Sequence, residues 1–298
     1  MTVLEAIQKS ADFLGKKGVD SPRLQAELLL ADLLGLPRMK LYLNFERALT
    51  PAEADALRER VVRRGRREPL QHITGSASFC GFEIAVNRHA LVPRPETELL
   101  AELGWSFLST LGPPPSTALD FGTGTGCLAI ALAAKCPAAT ITATDISADA
   151  LALARENAAK NRVIDRIEVV QGDGLAALPP ESQFDLIISN PPYVPSAEIM
   201  TLQPEVRDFD PRVALDGGTD GLDFYRRLAA EAKPFAGPRG KIMLEFGDGQ
   251  AEAVRRIFET EKWIVEAVKA DYSRRERILI AKPGPRMDPD QSHGKFPD

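Results

Sequence analysis

From about Pro93 onward the chain alternates short apolar runs with helical ones, and this alternation restricts its fold more than any other feature. "STALDFG", "ATITATDIS", "RIEVVQGD", "FDLIISN" and "GKIMLEFG" have strand character and close on Gly, Asp, Asn or Ser. "CLAIALAAKC" and "ADALALARENAAKN" between them are helical. Strands buried on both faces and separated by helices predict a parallel sheet with helical cover, an α/β fold class. "WIVEAVKA" and "RERILIAKP" predict a closing antiparallel pair.

The first part of the chain has a different period. "TVLEAIQKSADFLGKKG" and "SPRLQAELLLADLLG" repeat apolar residues at helical spacing and end at glycine. "TPAEADALRERVVRRGRRE" opens with Thr50 as N-cap, Pro51 at the first helical position and Glu53 three residues beyond the cap. "SFCGFEIAVNRHALVP" alternates as a hairpin does, with a turn expected around Asn87-Arg88. The expected organisation is a helical domain over 1–72, a β-hairpin linker over 73–92 and an α/β domain over 93–283. The polar, proline-rich tail, 284–298, is expected to be disordered.

At 298 residues the chain is long enough for one large domain or two modest ones. Its net charge of −5 argues against an overall basic nucleic-acid binder. Three cysteines, Cys80, Cys127 and Cys136, form no C-x-x-C pair, and with three histidines no zinc constellation arises, so no metal is expected. Sparse, odd cysteines suit a reducing compartment. The amphipathic N-terminus, interrupted by acids, does not read as a signal peptide, and no apolar run approaches the ~18 residues of a membrane span. A cytoplasmic protein without membrane partners is expected.

Two local motifs carry chemistry. "LDFGTGTGCLAIALA" sets Gly122, Thr123, Gly124, Thr125 and Gly126 between a strand and its helix, where glycine lets backbone approach a ligand closely. Cys127 follows Gly126, so the dinucleotide spacing G-x-G-x-x-G is not met, and a ligand-free tight turn is the plainer alternative. Asp145 ends the second strand, where a carboxylate can accept both hydroxyls of a ribose. It can also serve as a helix N-cap, although Ser147 suits that role better. Asp173 closes the third strand and can accept from an adenine amino group or act as a turn residue. The combination of glycine loop and two acids resembles the class I S-adenosylmethionine-dependent methyltransferases over about residues 115–282.

The second motif is "NPPY", following the fourth strand. Pro191 and Pro192 fix φ and lack N–H donors, so the backbone there presents carbonyls in set directions. Asn190 adds a side-chain carbonyl oxygen, and Tyr193 can pack against the face of a planar –NH₂ group. Together they make a two-acceptor clamp suited to an amide or exocyclic amine, with a proline-rich turn as the plainer reading.

The remaining sequence narrows the choice. "REPLQHITGSASFCGFEIAVNRHALVPRPETELL" and "EVRDFDPRVALDGGTDGLDFYRRL" resemble the HemK/PrmC family, and so does the helical N-terminal domain. That resemblance implies a Rossmann-like, mostly parallel seven-stranded sheet. It implies N5-methylation of the glutamine in the Gly-Gly-Gln motif of class I peptide chain release factors, a step tied to translation termination. S-adenosylmethionine would be the methyl donor, the release factor would be the partner, and no nucleic acid would be required. On the same footing Gly122 to Gly126, Asp145, Asp173, Gly174 and Asn190 would bind the donor. Asn190, Pro191, Pro192 and Tyr193 would hold the glutamine amide, with Asn190, Pro191 and Tyr193 acting in catalysis, and the helical domain would engage the release factor. Gly174 departs from relatives that carry a bulky aromatic beside the adenine. Arg94 and Glu96 either shape the site mouth or form an ion pair that locks the linker. The basic run "RERVVRRGRRE" either meets an acidic partner face or is a solvated helix end. Alternatives are a glutamine methyltransferase of a ribosomal protein, a DNA adenine or rRNA guanine N-methyltransferase, and a nucleotide-binding scaffold.

Overall fold

The computed structural model describes residues 1–113 and 115–285. Of the expected tail, all but Gly284 and Pro285 lies outside the described residues.

Five helices form the first unit: α1 (Val3–Lys16), α2 (Pro22–Leu33), α3 (Arg38–Leu41), α4 (Pro51–Gly65) and α5 (Leu70–Thr74). Capping boxes open α1 and α4, where Thr2 with Glu5 and Thr50 with Glu53 each exchange side chain for backbone N–H. The apolar faces of α1, α2 and α4 meet in a core holding Ile7, Leu14, Leu29, Leu30 and Leu57.

The hairpin forms, but its turn is not at Asn87-Arg88. Strands β1 (Ser76–Phe79) and β2 (Phe82–Ala85) pair with Phe79 opposite Phe82, so the turn is Cys80-Gly81. Both turn residues have positive φ, 50° and 82°, which matches the right-handed twist of a two-residue hairpin turn. Asn87 instead turns the chain after β2, accepting from the His89 backbone N–H. The hairpin is strapped to the α/β unit by Asn157, whose amide both accepts from the Ala85 N–H and donates to its carbonyl.

The second unit runs α6 (Pro95–Thr110), β3 (Thr117–Phe121), α7 (Cys127–Lys135), β4 (Thr140–Asp145), α8 (Ala148–Lys160), β5 (Ile167–Gln171) and β6 (Phe184–Ser189). It continues with α9 (Pro204–Arg207), α10 (Asp223–Glu231), β7 (Ala236–Glu245), α11 (Ala251–Thr260), β8 (Trp263–Ala270) and β9 (Glu276–Pro283). The sheet order is β5-β4-β3-β6-β7-β9-β8. The first five strands are parallel, and β9 pairs antiparallel with both β7 and β8. Alternate residues feed separate cores. Ala118, Leu186 and Ile188 join one with α6 and α7, while Leu119, Phe121 and Ile187 join another with α10 and α11. Strand order reverses between β3 and β6, which opens a crevice at the carboxyl ends of these strands.

Candidate active site

The loop from β3 to α7 forms one wall of that crevice. Gly122, Gly124 and Gly126 have φ of 71°, 53° and 81°, a region costly for residues with a Cβ. Below the loop Asp120 is fully buried; its carboxylate accepts from the Thr123 hydroxyl at 2.6 Å and the Ala129 N–H at 3.1 Å. Burial, with a smaller push from Asp145, raises the Asp120 carboxyl to about 7. A Cβ built at Gly122 would meet nothing within 4 Å, and one at Gly124 only the Ala90 Cβ at 3.9 Å, so the loop leaves a cradle. Gly126 plays a different part. Its Cβ would lie 3.1 Å from that of Ala154, so the absence of one lets the loop pack against α8.

Asp145 ends β4 with both oxygens engaged at one lone pair each. They accept from the Gly124 N–H and the Ser147 N–H, each at 2.9 Å. The N-cap of α8 is Ser147, as the sequence suggests, accepting from the Ala150 N–H at 3.2 Å. Asp173 follows β5 and is held by Arg227, which donates to its carboxylate at 2.5 Å and to its carbonyl at 2.8 Å. Gly174 has φ of 63°, and a Cβ there would meet the Phe121 ring at 2.6 Å. The Phe121 ring therefore lies beside position 174 and on the cavity wall, although Phe121 reads in the sequence only as part of a buried strand.

One cavity joins these parts. Gly122, Thr123, Gly124, Thr125, Asp145, Asp173 and Gly174 line it on one side, and Asn190, Pro191 and Pro192 on another. Two expected site residues are not on its wall. Gly126 faces α8, and Tyr193 packs against the core beneath α10 and α11, where burial pushes its hydroxyl up to about 12. The Tyr193 carbonyl accepts from Gln250 at 3.0 Å, which fixes the backbone just after the two prolines.

Two further residues, Thr97 and Glu245, support the clamp; Thr97 lies within the "PRPETELL" stretch and lines the cavity, but nothing in the sequence joins either residue to Asn190. The Asn190 side-chain amide donates to the Thr97 hydroxyl at 3.0 Å, and that hydroxyl donates to the Glu245 carboxylate at 2.7 Å. Thr97 is 3% and Glu245 2% exposed. Burial raises the Glu245 carboxyl to about 7 against the pull of the Thr97 hydrogen bond.

Arg94 lines the cavity and pairs with Asp210 at 2.5 Å, whereas Glu96 is exposed. Arg94 thus forms an ion pair, with Asp210 as its partner, while also lining the cavity. That contact holds the segment carrying Pro211, Val213 and Ala214 against the cavity. Apart from exposed Arg66, the arginines of α4 and the turn after it are paired rather than a free basic face. Arg58, Arg60 and Arg63 pair within the helical unit, and Arg64 and Arg67 both grip Glu205 at the start of α9. Among the described residues no His/Cys/Asp/Glu group is arranged to hold a metal, and no helix is long and apolar enough to cross a membrane.

Comparison with known proteins adds identity to this geometry. Residues 5–75 match the family model described as the PrmC N-terminal domain, and residues 105–203 match the Methyltransferase small domain. The release factor glutamine methyltransferase of Geobacter sulfurreducens is 42% identical over 257 residues, covering 86% of this chain and 88% of that one. The release factor glutamine methyltransferase of Deinococcus radiodurans is 42% identical over 283 residues, covering 95% and 99%. The crystal structure of a methyltransferase from Pyrococcus furiosus shares the fold, with a TM-score of 0.52 at 22% identity over 75% of this chain and 98% of that one.

Proposed function

The chain belongs to the release factor glutamine methyltransferase family, and from that premise we propose that it methylates N5 of the glutamine in the Gly-Gly-Gln motif of class I peptide chain release factors. The observation that carries this reading is the meeting of Asn190, Pro191 and Pro192 with the glycine cradle in one cavity. S-adenosylmethionine fits the residues present. The cradle at Gly122 and Gly124 has room that a Cβ would take, and the Asp145 and Asp173 carboxylates keep lone pairs for hydroxyl and amino hydrogens. Thr123, Thr125 and the Phe121 ring complete the walls. When bound, that cofactor supplies an electrophilic methyl group.

The substrate amide has two N–H bonds and a weakly nucleophilic nitrogen. The Asn190 side-chain oxygen and the Pro191 carbonyl accept those two hydrogens, which orients the nitrogen toward the methyl and enriches its electron density. Loss of the methyl from the sulfonium would leave a neutral thioether, and the N–H proton made acidic on the methylated nitrogen would pass to water, so no strongly basic side chain is required. Pro192 stiffens the clamp. Tyr193 acts from behind it, by fixing the backbone rather than by touching the amide.

The helical domain is the proposed release-factor dock. Its attachment through Arg64, Arg67 and Glu205 holds it to the segment that follows the clamp. It also exposes Met39 and Leu43, at 67% and 85%, which suits a protein-facing surface. The test uses labelled methyl donor with a release factor carrying Gly-Gly-Gln or Gly-Gly-Ala. Label on the glutamine form alone is expected, and equal labelling of both overturns the proposal.

A further inference from the structure

We propose that Thr97 and Glu245 are positioning residues that set which end of the Asn190 amide faces the substrate. The inference rests on the function proposed above and concerns how that same site obtains its acceptor.

The two ends of an asparagine amide have nearly the same shape and opposite hydrogen-bonding character. With its oxygen toward the cavity Asn190 accepts from a substrate –NH₂; flipped, it would confront that group with a second –NH₂. Something behind the side chain must therefore tell the ends apart. Thr97 in the first turn of α6 touches the amide at 3.0 Å, and its hydroxyl carries a single hydrogen. Glu245, the last residue of β7, lies 2.7 Å behind that hydroxyl. An ionised carboxylate can only accept, so the hydroxyl hydrogen goes to Glu245 and only lone pairs remain toward Asn190. The –NH₂ end must then point at Thr97, and the oxygen must point away from it. Thr97 lines the cavity and is 3% exposed, and Glu245 behind it is 2% exposed, so the Thr97–Glu245 bond itself is sealed from bulk solvent.

A protonated Glu245 removes the distinction. Its carboxyl hydrogen can be given to Thr97, whose own hydrogen is then free to meet the Asn190 oxygen, and the chain of donors runs backwards. The groups facing Glu245 are Arg94 before α6, Glu96 in α6, Arg277 of β9, Tyr193 after β6 and Tyr225 of α10. The Tyr225 hydroxyl donates to the Glu245 backbone carbonyl at 2.9 Å, which leaves the carboxylate to Thr97. Arg277 is shared with Asp271 at 3.5 Å. Burial and Glu96 favour the protonated form, while Thr97, Arg94 and Arg277 favour the ion, and the balance raises the carboxyl to about 7.

The test measures kcat at saturating methyl donor and release factor between about pH 6 and pH 9, with donor affinity measured separately by calorimetry. Wild-type kcat is expected to rise with pH through about 7. Thr97→Val keeps the shape without the hydroxyl and should lower kcat on the order of 10- to 100-fold, leaving donor affinity within about threefold. Thr97→Ser restores the hydroxyl and should recover most of the rate. Glu245→Gln should lower kcat and remove the pH-dependent limb. A flat wild-type profile, a limb that survives in Glu245→Gln, or a Thr97→Val rate within about twofold of wild type overturns the proposal. If Thr97→Val loses donor binding through misfolding, the profiles of wild type and Glu245→Gln decide the matter by the same criteria. Failure of wild type to label the glutamine form of the release factor would instead overturn the function itself, and that control separates the two.

Discussion

Asn190 stands where a strand can no longer continue, and its proposed acceptor role has a sharp consequence. Asn190→Ala removes one of two acceptors and should lower kcat on the order of 100-fold or more, with donor affinity, measured by calorimetry, changed far less. Asn190→Asp should also fail, because it places a carboxylate where Thr97 expects a donor and sets a charge beside the electrophile. Gly126 makes a prediction of a different kind. At φ 81°, with the Ala154 Cβ 3.1 Å from its own would-be Cβ, Gly126→Ala should destabilise the fold by about 1–3 kcal/mol, read from the urea midpoint. The glycine loop and "NPPY" are legible because each carries its chemistry within a few consecutive residues. Thr97 and Glu245 are not, since they stand 148 positions apart and only the packing of α6 against β7 makes them neighbours. Phe121 escapes for a related reason: nothing local to "LDFG" says that its ring will fill the space beside Gly174.

Whole elements are easier to read than the turns between them. The strands and helices of the α/β unit follow from apolar runs and their spacing, and the capping box of α4 from Thr50, Pro51 and Glu53. The hairpin turn reads wrongly as Asn87-Arg88 because Cys80 gives no composition signal for a left-handed conformation, and Gly81 beside it is a single weak cue. The α4 arginines show why a charge run is ambiguous in sequence. The partners of Arg60 and Arg64, Asp32 in α2 and Glu205 in α9, are 28 and 141 positions away. Glu205→Ala would leave Arg64, whose side chain is 6% exposed, without its carboxylate. Removing one member of a buried pair is costly, but Arg64 keeps bonds to Gln25 and the Glu68 carbonyl, and Arg67 is 22% exposed. A loss of about 1–3 kcal/mol in thermal or urea unfolding is expected, with a rise in KM for the release factor and little change in donor affinity.

At the scale of the molecule, two buried carboxyls set stability and activity against each other. Asp120 and Glu245 have ordinary values of 3.8 and 4.5, and burial in the folded chain raises each to about 7. Between those limits the native state holds protons that the unfolded chain has released, so stability falls as pH rises. The contribution of Glu245 is fully present below about 4.5 and lost as the pH passes about 7, a change on the order of 3 kcal/mol. Glu68 and Glu205 act with the opposite sign. Arg63 lowers the first, while Arg67 and Arg64 outweigh burial to lower the second, so their stabilisation is lost only as pH falls below the ordinary carboxylate range. Half-buried His72, held below its ordinary 6.5, acts against Asp120 and Glu245 on the acid side, since its protonation is disfavoured in the fold. The fold should therefore be firmest between mildly acidic and neutral pH. The proposed clamp needs Glu245 ionised and should work best above neutrality. Urea midpoints taken from about pH 5 to pH 8 should decline for wild type. They should decline less for Glu245→Gln, which has no carboxyl to ionise. A wild-type midpoint that rises steadily over this range would mean that neither carboxyl is held protonated by burial, and the opposition between firmness and turnover would not exist.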